Sequence, residues 1–509
     1  MPENTGEPYY SNVHHYGPDL EELPPAPGAP TSSSVLHGVV EVQPDHPPYD
    51  AEMQLRLVVV TALVLFAGSC SNSDDTQSAE PSSDPVAEAV DYSQPGDYAA
   101  GVTTLELEDR SVEVWYPADP SVTEGMDTEV FNVLMTLPDS FSSFVPDGLS
   151  GDIDTGAYRD VPGVEGDHPI IIYSHGFGGY RQVATYLTSH LASHGFVVVS
   201  VDHIERGLVQ QALGDATSDP QREIDDLDAA IALVAEGDAS ADSPLSGVVD
   251  TSVIGITGHS AGGGTSTRYA ELGDRVLAFS TISAGTPAPI EGDEIGVRGI
   301  ALSPDAPDEV TVEVLEVSGE VLTVSVDGTD PQTVDVDREK GAEVEAGGGT
   351  ATLFFFPPDS DQAAVQPGTV VVSRLVPDKP SLVILGDDDQ VVTAERSRSQ
   401  YAVQPSPKVL VGVAGAGHNS FTDSCARIIE FGGLGELEDL IGSAQVARAE
   451  DGCTPEASDP EVVQAAVRHA TTAFFLAQLL GEDATPSLTQ DAITEYSGAE
   501  LSDHSTAPA

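Results

Sequence analysis

Lysine is nearly missing from this chain: Lys340, Lys379 and Lys408 are the only three in 509 residues. Lys and Arg together number 19 against 84 Asp and Glu, for a formal net charge of −65. So few cations cannot build the basic face that phosphate neutralisation needs, which excludes a nucleic-acid binder. Acidity spread along the whole chain is the pattern of proteins that work in high salt, where screening removes self-repulsion. A generally acidic, well-solvated surface is the other reading. Long apolar runs are also lacking; the longest, within residues 53–70, is too short for a comfortable membrane span. His168, His190, His194 and His203 lack the spacing of metal ligands, so neither a metal nor another cofactor is expected. Asp387 and Asp388 offer only the oxygens that Ca²⁺ takes alongside others. What is present is 40% apolar residues, enough for a sizeable core in one large domain or a few ordinary ones.

Residues 53–70 read MQLRLVVVTALVLFAGSC: a charged start, an apolar stretch, then small residues ending at Cys70. This resembles a bacterial lipoprotein signal, with Ala67-Gly68-Ser69-Cys70 as its lipobox and Cys70 as the lipidated residue. The Ser/Asp/Pro-rich stretch from Ser71 to Pro85 suits a flexible tether between an anchor and a folded body. A signal belongs at the start of a protein, so Met53 is the expected start and residues 1–52 an over-extended reading frame. A disordered tail ahead of the anchor is the alternative. Cysteine is scarce as well: once Cys70 carries lipid, only Cys425 and Cys453 remain, and in an exported, oxidising setting two thiols can pair, two free thiols being the alternative. An exported, envelope-located protein held at the membrane by lipid is the expectation.

From about Thr103 the chain alternates strand-like apolar runs with helix-like segments, the signature of an α/β layered fold around a largely parallel sheet. Val112 to Tyr116, Ile170 to Tyr173, Phe196 to Asp202, Val276 to Ile282, Ser381 to Leu385 and Lys408 to Val413 read as strands. Arg181 to His194, Arg222 to Ala235 and Glu461 to Leu480 read as helices. Between them stands GHSAG, Gly258 to Gly262, after the apolar run Val253 to Thr257 and before a helix-compatible segment. Small residues two before and two after Ser260 let the chain turn tightly enough to present the hydroxyl, as a nucleophile elbow does. The loop HGFGG, His175 to Gly179, follows a buried strand well before the elbow. Gly386-Asp387-Asp388-Asp389 ends one later strand and Gly417-His418-Asn419-Ser420-Phe421 ends the last. His259 either lines the pocket or packs.

The segments IIYSHGFGGYR, LASHGFVVVSVDH, GITGHSAGG and GDDDQVV resemble the dienelactone-hydrolase-like and platelet-activating-factor-acetylhydrolase-like branch of the α/β-hydrolases, near polyester hydrolases and chlorophyllases. The resemblance covers roughly residues 95–290 and 375–482. It implies an α/β-hydrolase fold, a mostly parallel sheet with helices on both faces; the β-rich insert before the acid-bearing strand is read from its own period-two pattern, where the family commonly has a helical lid. The resemblance also implies a carboxylic ester hydrolase with a small-molecule or lipid ester as substrate, and no protein partner is implied; a phospholipid or polyester hydrolase, and a non-catalytic surface binding protein that kept the fold, are the alternatives. Nucleophile, acid and histidine follow in that chain order in this fold. Ser260 is then the nucleophile, His418 the base and an aspartate of 387–389 the acid, with the Phe177 and Ala261 amides as oxyanion donors. The pattern G-x-x-D-x-x-V falls on Gly386, Asp389 and Val392, which favours Asp389 over Asp388 and Asp387. Dienelactone hydrolases use a cysteine nucleophile where this chain has Ser260, so lactone chemistry is not implied. The acetylhydrolases carry the acid after the strand that follows the elbow, where this chain reads Thr281-Ile282-Ser283-Ala284.

The organisation expected is an extension at 1–52, a signal at 53–70, a flexible linker at 71–94, the first part of the hydrolase domain at 95–289 and its second part at 377–482. Residues 290–376 form the β-rich insert, marked by the period-two run VTVEVLEVSGEVLTVSVDG, and residues 483–509 a C-terminal tail. A lid enters this fold at the same point, so the insert is read either as a cover, with Phe354-Phe355-Phe356 as its apolar contact, or as a unit that only packs on itself.

Overall fold

Alternating residues of the run HPIIIYS point to opposite sides of a sheet, yet almost all are buried, so this strand needs apolar cover on both faces. A computed structural model supplies it. It describes residues 88–508 apart from 138–150, 214, 274, 286–289, 293–296, 304, 308, 337–340, 356–364, 374 and 439–441. The extension 1–52, the signal-like stretch 53–70 with Cys70, and the tether through Pro85 lie outside the described residues.

The first half contributes strands β1 (Ala99–Glu106), β2 (Ser111–Ala118), β3 (Ala157–Arg159) and β4 (His168–Ser174), then helix α1 (Thr185–Ser193) and β5 (Val197–Val201). Helix α2 (Pro220–Asp238), β6 (Val249–Gly258), α3 (Ala261–Leu272) and β7 (Val276–Ile282) follow. Asp219 caps α2 by accepting the Arg222 amide at 3.0 Å, with Pro220 in the first turn. Helix α1 starts at Thr185, not at Arg181 as the sequence suggests. Its first amides, of Thr185 and Tyr186, are taken by the carboxylate of Asp423, a cap supplied from far along the chain.

A β-rich insert then leaves the sheet: β8 (Ile290–Gly292), β9 (Val297–Leu302), β10 (Glu309–Ser318), β11 (Val321–Val326), β12 (Gln332–Asp335), β13 (Ala342–Ala346), β14 (Gly349–Phe355) and β15 (Gly368–Ser373). They form one sheet in the order β8-β15-β10-β11-β12 and another in the order β9-β14-β13. Val310, Val312, Val314, Leu322, Val324, Val344, Leu353, Val370 and Val372 fill a core of their own, distinct from the cores that flank the main sheet. Phe354 and Phe355 lie in β14, while the third phenylalanine of the triplet falls outside the described residues.

The chain returns as β16 (Ser381–Gly386), α4 (Ala394–Val403), β17 (Lys408–Val413), α5 (Ser424–Phe431), α6 (Pro460–Leu479), α7 (Gln490–Ser497) and β18 (Leu501–Ala507). The main sheet has ten strands in the order β18-β17-β16-β7-β6-β4-β5-β2-β1-β3. Its central run from β5 to β17 is parallel, while β2 and β18 pair antiparallel at its two ends. This order, with an antiparallel second strand and the crossing of β4 and β5, is that of an α/β-hydrolase fold. One face buries Ile171, Tyr173 and Val198 against Leu187 and Leu191 of α1 and Phe474 and Phe475 of α6. The other buries Ile170, Ile172 and Val199 against Leu227 and Ile231 of α2 and Tyr269 of α3.

Two boundaries differ from the expectation. Residues 490–507, read as part of a tail, form α7 and β18, and β18 pairs with β17 along its length. The last residues of the supposed linker also dock on the body: the Val90 amide donates to Ser487 Oγ at 2.8 Å and the Tyr92 amide to His469 Nδ1 at 3.1 Å.

Candidate active site

Strand β6 ends at Gly258 and helix α3 begins at Ala261, leaving His259 and Ser260 to make the turn. Ser260 takes φ 56° and ψ −123°, a conformation that side-chain-bearing residues rarely adopt and that is costly to hold. The turn is paid for by its neighbours. A Cβ at Gly262 would collide with the Ser174 carbonyl oxygen, so α3 can press against the end of β4 only with glycine there. The Ser260 amide donates to the Ile282 carbonyl at 2.9 Å, pinning the turn to β7.

Ser260 Oγ lies 2.9 Å from His418 Nε2, and His418 Nδ1 lies 2.8 Å from Asp389 Oδ2. His418 is buried apart from a small part of its ring and the Asp389 side chain is fully shielded, whereas Ser260 is partly exposed. The second oxygen of Asp389 accepts the amides of Val391 at 2.8 Å and Val392 at 2.7 Å, which holds the carboxylate from its far side. Of the three aspartates, only Asp389 reaches the histidine. Asp387 is exposed and accepts the Gly415 amide at 2.6 Å; Asp388 is exposed too. Among the described residues, no group of three or more His, Cys, Asp or Glu side chains is arranged to hold a metal ion.

The loop His175 to Gly179 passes directly over the elbow: a Cβ at Gly176 would stand 2.9 Å from Ser260 Cβ. The amides of Phe177 and Ala261 have no hydrogen-bond partner among the described residues. The Phe177 side chain is exposed. His259 is buried under the site and its Nε2–H donates to the His418 carbonyl at 2.8 Å. Burial first, then the nearby His418, push its pKa down to about 3, so it is a neutral brace.

Asp451 is a support that had no signal in the sequence, whereas the disulfide beside it was expected. Asp451 Oδ2 accepts the Gln390 amide at 2.8 Å and its carbonyl accepts the Asn419 amide at 2.8 Å, so one residue braces both the acid loop and the histidine loop. Cys425 and Cys453 are joined in a disulfide, with Cα atoms 5.0 Å apart, and this holds the Asp451–Cys453 turn against α5. His168, His190, His194 and His203 each bond a backbone carbonyl or a serine hydroxyl. A cavity of about 410 Å³ beside these loops is lined by Asp388, Gln390, Gly417 and Asp451 among others, and Ser260 does not line it.

Residues 161–286 match the family described as PETase, PET hydrolase-like. A stretch of 56 residues is 39% identical to a platelet-activating factor acetylhydrolase of Cavia porcellus, covering 11% of this chain and 13% of that protein's length. A ferulic acid esterase from Streptomyces cinnamoneus aligns with a TM-score of 0.45 at 18% identity, over 80% of this chain and 97% of the other. The first two similarities fall in the branch of the α/β-hydrolases that the sequence motifs resemble. The family match spans the His175–Gly179 loop and the Ser260 turn and stops before Asp389 and His418.

Proposed function

We propose that this protein is a serine hydrolase that cleaves carboxylic esters through an acyl-enzyme intermediate. The observation that carries the reading is the unbroken line Asp389 Oδ2, His418 Nδ1, His418 Nε2, Ser260 Oγ, with links of 2.8 and 2.9 Å. Nδ1–H donates to the fixed carboxylate, so Nε2 carries the free lone pair and accepts the Ser260 proton as Oγ attacks the ester carbonyl. The new oxyanion receives the Phe177 and Ala261 amides, which are already free of other partners and need no reorganisation. Collapse expels the alcohol, protonated by His418 Nε2–H; water then repeats the sequence against the acyl-serine and releases the acid.

Fluorophosphonate labelling tests this directly. Wild type takes one label on Ser260, and Ser260→Ala takes none and loses hydrolysis of p-nitrophenyl esters while keeping its melting temperature. A folded wild-type protein that refuses the label is a binding protein that kept the fold. Within the hydrolase reading, an extended or lipid-like ester is favoured by the exposed Phe177 ring on the donor loop and by the names of the similar proteins. Comparing p-nitrophenyl esters of increasing length with a phospholipid and a polyester film separates these substrates.

The enzyme is further proposed to work outside the cytoplasm, tethered by lipid on Cys70. The motif at residues 53–70 and the Cys425–Cys453 disulfide support this. Mass spectrometry of membrane-extracted protein should find a lipidated N-terminus at Cys70; an unlipidated chain that retains residues 1–52 rejects the tether.

A further inference from the structure

The two free amides beside Ser260 come from separate parts of the chain, Phe177 from the loop after β4 and Ala261 from the first turn of α3. An oxyanion hole works only when its donors keep a fixed spacing, so something must couple these two segments. Arg206 is the side chain that touches both. It sits in the loop after β5, its guanidinium is essentially unexposed, and the proposed chemistry does not use it.

On the loop side, Arg206 Nη2 donates to the His175 carbonyl at 2.7 Å and to Ser174 Oγ at 2.9 Å. The Arg206 backbone carbonyl accepts the Gly178 amide at 2.8 Å. The segment is therefore held on both sides of Phe177 by one residue, leaving the Phe177 amide between two anchored peptides. On the helix side, Arg206 Nη1 donates to Thr265 Oγ1 at 3.0 Å. Thr265 stands one turn after Ala261 in α3, its hydroxyl 3.2 Å from the Ala261 carbonyl. Glu223 of α2 completes the arrangement: its Oε2 lies 2.6 Å from Arg206 Nη1 and accepts the Thr265 hydroxyl at 2.6 Å. The planar fork of a guanidinium can serve several acceptors in fixed directions at once, which a lysine ammonium on a flexible stem cannot.

We propose that Arg206 is the positioning residue of the oxyanion site, a single buried guanidinium that sets the spacing of the Phe177 and Ala261 amides. The inference rests on the serine-hydrolase reading above. Arg206 touches neither substrate nor Ser260; it acts through His175, Gly178 and Thr265. The alternative is that Arg206 and Glu223 are an ion pair of the core with no bearing on chemistry.

The test compares wild type with Arg206→Lys, Arg206→Met and, so that no buried carboxylate is left unpaired, Arg206→Met/Glu223→Leu. The kcat and KM for p-nitrophenyl butyrate are measured per fluorophosphonate-titrated site, with the inhibition constant of phenylboronic acid, whose serine adduct is tetrahedral and anionic. In the methionine variants kcat should fall about 10- to 100-fold with KM changed less than about threefold, since misplaced donors are felt at the transition state. The phenylboronic acid affinity should fall in parallel, and Arg206→Lys should lie between these and wild type. The pH midpoint of kcat/KM should not move, because the His418–Asp389 contact is untouched. Should Arg206→Met not fold, the paired variant carries the comparison. Folded variants with lowered melting temperature but wild-type kcat per titrated site and wild-type boronate affinity overturn the inference alone. A wild-type protein that neither hydrolyses the ester nor takes the label overturns the functional reading beneath it.

Discussion

Replacing Asp389 by Asn separates the role of its charge from the role of its shape. The side chain is fully shielded, with one oxygen on the Val391 and Val392 amides and the other on His418 Nδ1. An asparagine keeps the first arrangement by turning its carbonyl oxygen to the two amides. Its NH₂ then faces Nδ1 and donates, so Nδ1 becomes the acceptor and the proton moves to Nε2. A histidine in that tautomer cannot take the Ser260 proton. The expected loss in kcat is on the order of 10⁴-fold, the scale that wrong-tautomer substitutions reach in other serine triads, or about 5 kcal/mol of transition-state stabilisation. The fold should survive, because the amides stay satisfied and the volume is unchanged. Asp387→Asn is the paired control: Asp387 is exposed, and an amide oxygen can still accept the Gly415 amide, so turnover should stay within about threefold, as for surface substitutions that leave their contacts intact. Saturating p-nitrophenyl ester, with sites counted by fluorophosphonate, gives kcat for both. A mild effect at Asp389, or a severe loss at Asp387 beside it, refutes the tautomer argument and moves the acid elsewhere.

Cys425→Ser/Cys453→Ser opens a loop with a sequence separation of 28 and should cost about 3–4 kcal/mol in urea unfolding by the chain-entropy estimate; an unchanged midpoint contradicts it. Activity should fall as well, because the same turn braces Gln390 and Asn419. Asp423, half-buried where it accepts the Thr185 and Tyr186 amides, has its pKa pushed up to about 6 by burial. A carboxyl raised in this way contributes stability that is complete below its unfolded pKa and lost as pH rises through about 6. Wild type should therefore lose about 2 kcal/mol relative to Asp423→Asn between pH 4 and pH 7.5, and a gap independent of pH rejects the assignment. With a net charge of −65, the melting temperature should rise from low to molar NaCl, and one that stays still or falls removes the reading of an acid-rich surface adapted to salt.

The parts of the site that were legible in the sequence are those with a local signature. Ser260 announces itself because an exposed hydroxyl on a strained turn needs glycine on both sides and a buried strand before it. His418 follows a strand whose apolar run is unmistakable. The choice among Asp387, Asp388 and Asp389 rested on a spacing pattern alone; the folded chain separates them by direction, since only the third turns inward. Asp423, Asp451 and Arg206 carried no signal, because each acts on a segment distant in sequence. Strand β1 begins earlier than its apolar residues suggest, since Gly101 must be bare where a Cβ would strike the Tyr116 ring. Strand β18 was hidden for the opposite reason: LSDHSTA lies at the sheet edge, half-exposed and polar, so no hydrophobic alternation marks it.

The insert departs after β7 and returns at β16, two strands that are direct neighbours in the sheet. Ser260 precedes this excursion; Asp389 and His418 come after it. During synthesis Ser260 is made long before Asp389 and His418, and the contact among the three stays incomplete until the excursion has left the ribosome. The added length is cheap: shortening the connection from Ser260 to Asp389 about threefold would change the closure entropy by only about 1 kcal/mol. Since the excursion brings its own core and reconnects to an adjacent strand, the sheet can close without regard to what fills the gap.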